Sequence, residues 1–512
     1  MDVAEINAVR KRYRRGMLKV GLIYPSFYRV AADSLAFQML YYYLNSQEDV
    51  IAERFVLNDD GSPRVVSLES QSPLRSFDVV LISVHYELDF VNILRFMLAS
   101  ALPLRSRERD KPLFMAGGPP VIANPTPLSE YIDVLAVGEI EEILPSFLDA
   151  LRSARDEKRA LLESLAPDRG FYVPELHEGE EVSFTFARSL PRQFHPAAQF
   201  QPAQDRNWRR RTAIEASRGC FRGCRFCLEG RIFNVVRERG MGDVIGIALE
   251  GREANGSSFV KLVSLSFFDH SRADDILEAL VEEGFEFSVP SLRAETLNEK
   301  RLEMIRLGGQ KTLTVAPETG SKELAMRIGK YLSLERVTEV AQTARKLGFT
   351  GLKVYLMVGL PGEDEGSLDE TVSYILRLSG ASGFKGEREL KITVSPFVPK
   401  PHTPLQDQAF VGLEEARRRI QYLRRRLAGL ADVRAYDPRL ALIQTVISRG
   451  DAHVGKALAE WAKIGGGLGS WRKAVAGAGL DLRKYLGEQQ PPHPWDFIRL
   501  QPRAVRRSNG AF

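Results

Sequence analysis

Over the first 150 positions the apolar residues come in two alternating kinds of run. Short unbroken stretches at 18–24, 50–56, 77–84, 113–116 and 134–137 suit strands buried on both faces. Between them, 31–44, 90–101 and the segment from Glu139 onward space their apolar positions along one helical face. Pro25 is expected to stop the first strand, because proline has no backbone donor. Strands alternating with helices predict a doubly wound parallel α/β sheet over 1–150, with its ligand edge at the carboxyl ends of the strands. Gly117 and Gly118 fall at such an end, where a backbone approaches a phosphate or a ring closely.

The pattern dissolves over 151–208 into a charged helix, proline turns and a strand-like 182–186, as expected of a connector. It resets near Arg211. Strands at 212–217, 259–267, 285–292, 312–316, 352–358 and 391–398, with helices at 273–283, 297–307 and 334–347 between them, predict a partial (β/α)6 barrel over 209–404. The remainder, 405–512, reads as mainly helical. It opens on an arginine-rich amphipathic helix at 414–430, followed by a strand-like 432–435. Its aromatic and glycine punctuation at Trp461, Gly465–Gly467, Trp471 and Trp495 suggests a cap over the barrel mouth or a wall for substrate.

Composition adds bounds. The 512 residues allow about three domains, and 44% hydrophobic with 27% charged residues is ordinary for a globular chain. No apolar run approaches the roughly 18 residues of a membrane span, and the amino terminus lacks a signal-peptide layout. The net charge of +5 says little, but basic runs at 10–15, 206–211, 417–426 and 503–507 keep RNA as a candidate partner beside the plainer reading of solvated faces.

All three cysteines of the chain lie within one loop, Cys220, Cys224 and Cys227, at CxxxCxxC spacing. Such clustering argues against a disulfide framework and for a reducing, cytoplasmic setting. Three thiolates turned to one point leave a coordination position free, which suggests a 4Fe–4S cluster with one open iron. A zinc knuckle would want a fourth Cys or His close by, and none lies within about forty residues on the C-terminal side. Buried structural cysteines are the other reading.

The loop, with Phe226 just before the last cysteine, resembles the signature of the radical S-adenosylmethionine (SAM) superfamily. That resemblance implies a 4Fe–4S cluster whose open iron binds SAM, reductive release of a 5′-deoxyadenosyl radical, and a flavodoxin- or ferredoxin-like electron donor. The order of domains, through most of the chain, resembles the branch that carries an N-terminal cobalamin-binding-like domain. One departure stands out: the loop after the first strand, Pro25–Val30, has no histidine where the usual cobalamin signature supplies one, and His85 reads as a core or surface residue.

Residues at the carboxyl ends of the barrel strands are the site candidates. Glu318 is placed to accept from the amino group or ribose of SAM, with a helix N-cap region as the alternative. Arg293, in the stretch Pro290–Arg293, is placed to pair with the SAM carboxylate, or else forms a surface salt bridge. Gly359 and Pro361, in a Gly-Leu-Pro-Gly turn also shared with the superfamily, would let a backbone approach adenine, or simply make a strand-to-helix turn. Ser266, with Asp269 and His270 behind it, follows the second strand. Lys400 and His402, in a Pro-Lys-Pro-His-Thr-Pro stretch, are expected to face substrate or to stiffen an exit.

The cysteine count excludes a methylthiotransferase with a second cluster, and any auxiliary cluster. Three functions survive: radical chemistry on a substrate without cobalamin, cobalamin-dependent methylation with a histidine-free corrin site, and a non-catalytic cluster-containing binding factor.

Overall fold

The computed structural model describes residues 4–154, 157–290 and 292–500, so Ser291 and the basic run 503–507 lie outside the described residues. The N-terminal sheet is built from β1 (Leu18–Phe27), β2 (Val50–Leu57), β3 (Val79–Ser83), β4 (Leu113–Gly117), β5 (Val134–Ala136) and β6 (Phe171–Tyr172). Their order is β2-β1-β3-β4-β5-β6, parallel throughout except for the antiparallel edge strand β6. Pro25 does not end the first strand. The ladder to β2 shifts register between Ile23 and Phe27, and the chain stays extended to Phe27, because a bulge removes the need for the donor that proline lacks.

Both faces of this sheet are covered. On one, the helices Leu35–Ser46 and Ile140–Ser153 pack on Leu81, Met115 and Ala136. On the other, the helix Asp89–Ala99 packs on Phe114 and Ala116 together with Val454, Leu458 and Trp461 of the helix Ala452–Lys463. The C-terminal region therefore covers the N-terminal sheet, and its tryptophans are core residues, not a lid: Trp461 donates to the Gly467 carbonyl at 2.8 Å and Trp495 to Gln406 at 3.1 Å. Each large apolar side chain buried there contributes about 1.5–3 kcal/mol.

The barrel contains β7 (Thr212–Glu215), β8 (Phe259–Val263), β9 (Glu286–Ser288), β10 (Thr312–Glu318), β11 (Gly351–Val358), β12 (Leu390–Pro396) and β13 (Asp432–Ala435). They form two parallel ladders, β7-β8-β9 and β10-β11-β12-β13. Helices between successive strands share one core with them. The six expected βα units are present, and β13 extends the sheet by a seventh strand. The arginine-rich helix Leu413–Arg426 that precedes β13 buries Ala416, Ile420 and Leu423. Its arginines are largely paired: Arg418 with Glu415 and Glu365, Arg419 with Glu415 and Glu363, Arg426 with Asp369. No described helix is long and apolar enough to cross a membrane.

Candidate functional site: the cysteine loop and the interdomain cavity

The cysteine loop leaves the carboxyl end of β7 and is pinched at its base. Ser217–Arg218 pairs antiparallel with Arg237–Glu238, so the intervening residues form a closed excursion. Gly219 makes the first turn at φ +101°, where a Cβ would lie 2.3 Å from the Val235 carbonyl oxygen; no other residue fits. Cys220 N–H then donates to the Phe233 carbonyl at 2.9 Å, and Cys227 N–H to the Cys224 carbonyl at 3.2 Å.

The three thiols lie near enough to feel one another's charge. Burial raises Cys220 and pushes Cys227 up to about 11, so a thiolate here calls for a compensating positive charge. Among the described residues no three His, Cys, Asp or Glu side chains meet closely enough to ligate one ion. A cluster ligated at three corners asks instead for three thiols distributed around a cube, all soft donors, and Cys220, Cys224 and Cys227 fit that requirement.

Several sequence candidates converge on the loop. Phe226 packs against Leu324, Ile328, Leu360, Phe397 and Leu405, which come from the segments that follow β10, β11 and β12 and so tie the loop across the mouth. Arg293 bonds Glu295 at 2.6 Å and faces the Cys224 sulfur. Its charge also reaches Cys220 and Glu318. Glu318 closes β10 at a register shift, holds a left-handed φ of +69°, and pairs with Lys330 at 2.6 Å. A buried glutamate in that conformation carries backbone strain of about 1–3 kcal/mol, a common mark of a working site. Burial raises its carboxyl despite Lys330.

Other candidates have structural duties. The glycines of the 359–362 turn are explained by packing: a Cβ would lie 2.7 Å from Val411 at Gly359 and 2.0 Å from Arg327 at Gly362. Pro361 accepts from Arg327 at 3.2 Å, and the neighbouring Leu360 carries the contact with Phe226. The N–H of buried Ser266 donates to Ser264 Oγ at 3.1 Å, and Ser264 Oγ in turn meets Ser217 Oγ at 2.7 Å. Asp269 is bound by Arg222 of the loop. Both nitrogens of His270 are used internally, on Arg239 O and Arg272 N. Lys400 and His402 do not face a substrate space: Lys400 pairs with buried Glu87, and His402 bonds the Ala123 carbonyl at 3.0 Å. Gln444 and Ser448 complete the shell around Glu87 at 2.8 and 3.2 Å. The proline-rich stretch is thus a clasp between barrel and N-terminal domain.

A second clasp escaped the sequence reading. Arg218, two residues before Cys220, bonds Glu215 of its own strand and Glu139 and Glu141 of the N-terminal domain. Arg237 also reaches Glu139, and Arg239 reaches Glu215 at 3.8 Å. Glu139, Glu141 and Glu215 are balanced by three guanidiniums, as buried charges require. Nothing in the local sequence links residues so far apart.

Between the clasps lies a cavity of about 600 Å³. Its mouth faces the ends of β7 and β8, with Ser217, Arg218, Lys261 and Ser264, and it includes Glu229 and Phe233 of the cysteine excursion. From there it enters the N-terminal domain at the ends of β1, β3 and β4, marked by Tyr24, His85 and Gly118. It continues along the sheet between Met39 and Leu40 of one helix and Ile143 and Leu144 of the other, over Leu81, Met115 and Ala136. Gly117 and Ala136 keep this part of the lining small; a Cβ on Gly117 would stand 3.2 Å from that of Ala136. The strand order 2-1-3-4-5 puts a topological switch point between β1 and β3, where sheets of this type bind ligands. The expected histidine-free cavity is not what the structure contains: the loop after β1 has no histidine, but His85 after β3 lines the same space.

Comparison with known proteins agrees with this architecture. Residues 36–174 match the family model for radical SAM proteins, N-terminal, and residues 214–375 match that of the radical SAM superfamily. The chain is a radical SAM superfamily protein with an N-terminal cobalamin-binding-like domain. An uncharacterised protein of Methanocaldococcus jannaschii is 28% identical over 94% of this chain and 98% of its own length. An uncharacterised methyltransferase of Pyrococcus horikoshii is 26% identical over 32% of this chain and 36% of its own. Among solved structures, the radical SAM methyltransferase TsrM of Kitasatospora setae, with cobalamin and a 4Fe–4S cluster bound, aligns over 90% of this chain and all of its own. The TM-score is 0.55 at 17% identity, a likeness of fold.

Proposed function

We propose that this protein is a SAM-dependent radical enzyme that holds a corrin in the interdomain cavity and methylates a substrate presented at the barrel mouth. The observation that carries the reading is the placement and lining of the cavity, which joins Arg218, Glu229 and Phe233 at the cysteine excursion to an apolar wall of Leu81, Met115, Ile143 and Leu144 in the N-terminal domain. A large ring cofactor with polar substituents suits a mostly apolar lining with a few polar groups. The fold of TsrM and the match to a Pyrococcus methyltransferase favour the same chemistry.

When bound, a 4Fe–4S cluster with SAM supplies one-electron cleavage of a sulfonium, and a corrin supplies a methyl carrier. The chain's own tasks are binding and orientation. Cys220, Cys224 and Cys227 would hold the cluster. Arg293 would pair with the SAM carboxylate, and Glu318, kept in place by Lys330, would accept from its amino group or ribose. The backbone of Gly359 to Pro361 would border the adenine, and Ser266 would contribute to the same SAM site. Phe226 fixes the loop so that these groups keep their spacing. Electrons would come from a flavodoxin- or ferredoxin-like donor.

The test is anaerobic reconstitution with iron, sulfide, dithionite and SAM, with and without hydroxocobalamin, followed by gel filtration and mass spectrometry. The expected result is a protein that retains corrin and converts SAM only when reduced. SAM cleavage to 5′-deoxyadenosine without retained corrin would overturn the corrin assignment and leave radical chemistry on a substrate in the cavity. A reducible cluster that never turns over SAM would overturn the enzyme reading.

A further inference from the structure

Of the seven histidines in the chain, His85 is the one that lines the interdomain cavity. It stands two residues beyond β3, at the switch point. Its side chain is exposed and lines the cavity. The Tyr24 ring lies alongside at 5.5 Å. Both hydrogen bonds of the imidazole fall on Nε2, at 3.2 Å from Ser34 Oγ and 3.2 Å from Ser83 Oγ; among the described residues Nδ1 has none. Ser34 Oγ also accepts from Phe37 N–H at the start of its helix. Nε2 thus faces two hydroxyls, and Nδ1 is the ring nitrogen left for a further partner.

We infer that His85 is the protein's axial ligand to the cobalt of a corrin bound in this cavity. The chain thus replaces the histidine missing after β1 with one from the neighbouring strand of the same switch point. The step is a coordination: Nδ1 donates its lone pair to cobalt in place of water or of the corrin's own nucleotide base. No protein bond breaks, and the imidazole's proton then sits on Nε2, within reach of Ser34 and Ser83. Metal-bound histidines are commonly oriented in this manner, through the nitrogen that does not ligate.

This inference rests on the corrin reading, and the experiment separates the two. Full-length protein made with histidine labelled with heavy nitrogen, and the same protein unlabelled, is loaded with hydroxocobalamin and reduced to the cobalt(II) state for electron paramagnetic resonance. A nitrogen from His85 splits each cobalt line into a triplet in unlabelled protein and a doublet in labelled protein. His85→Ala and the more conservative His85→Gln are expected to retain corrin and to lose the splitting that responds to the label. A triplet indifferent to the label, no nitrogen splitting, or a doublet that persists in both variants would overturn the assignment to His85 while leaving the corrin site standing. Wild-type protein that retains no corrin would overturn both.

Discussion

Arg218 holds Glu141 through two bonds, of 2.8 and 3.0 Å, and the two residues belong to different domains. Arg218 sits at the root of the cysteine loop and Glu141 begins a helix of the N-terminal sheet, so loop position and domain contact are set by one guanidinium. Removing one partner of a buried pair costs about 3–5 kcal/mol, because the other charge is left unpaired. Arg218→Met is expected to lower stability by that order, read as a shift in the urea midpoint, and Arg218→Lys by less. An unchanged midpoint in Arg218→Met would show that the clasp is not a structural element.

Cys224→Ala is expected to abolish the cluster, since two thiolates rarely hold it. Iron and sulfide analysis after anaerobic reconstitution, with the visible absorbance of the cluster, provides the check. Full iron and sulfide content in the variant would refute the assignment of the loop.

Glu318→Gln keeps the shape of the side chain and removes the counter-charge of Lys330. SAM affinity of the reconstituted enzyme is expected to fall about tenfold or more, in keeping with the roughly 1.5–3 kcal/mol of a hydrogen bond to a charged group, while cluster content stays at the wild-type level. Unchanged affinity by equilibrium dialysis would assign Glu318 to the fold alone.

Asp89 gives a dependence on pH. Burial, and then the charge of Glu87, raises its carboxyl from 3.8 to about 7. The folded chain keeps a proton that the unfolded chain releases, so this group's contribution is complete below about pH 4 and is lost as pH rises through 7. Asp89→Asn is therefore expected to be more stable than wild type at about pH 8, by an amount on the order of a few kcal/mol. The gap should close toward pH 4. Parallel denaturation curves at several pH values measure it, and a gap independent of pH would contradict the assignment.

Much of this was legible in the chain itself. The strands of the N-terminal domain and the barrel announce themselves because continuous apolar runs have few other stable uses, and the three cysteines have few plausible partners other than a cluster. The boundaries that failed did so for tertiary reasons. Pro25 stays within β1 because a bulge absorbs it, and β9 shrinks to Glu286–Ser288 where its apolar flanks turn inward. The duties of Lys400, His402 and Arg218 could not be read locally, since each is defined by a partner in another domain. His85 looked ordinary for the same reason: only the fold brings it to a shared cavity.

The segment after residue 430 serves two masters. Asp432–Ala435 supplies the last edge of the barrel, and the helices behind it cover a face of the N-terminal sheet. During synthesis, both earlier units therefore wait, incomplete, for the same late stretch of polypeptide to leave the ribosome. A chain cut after Leu430 would lose the last strand of one unit and the cover of the other in a single event.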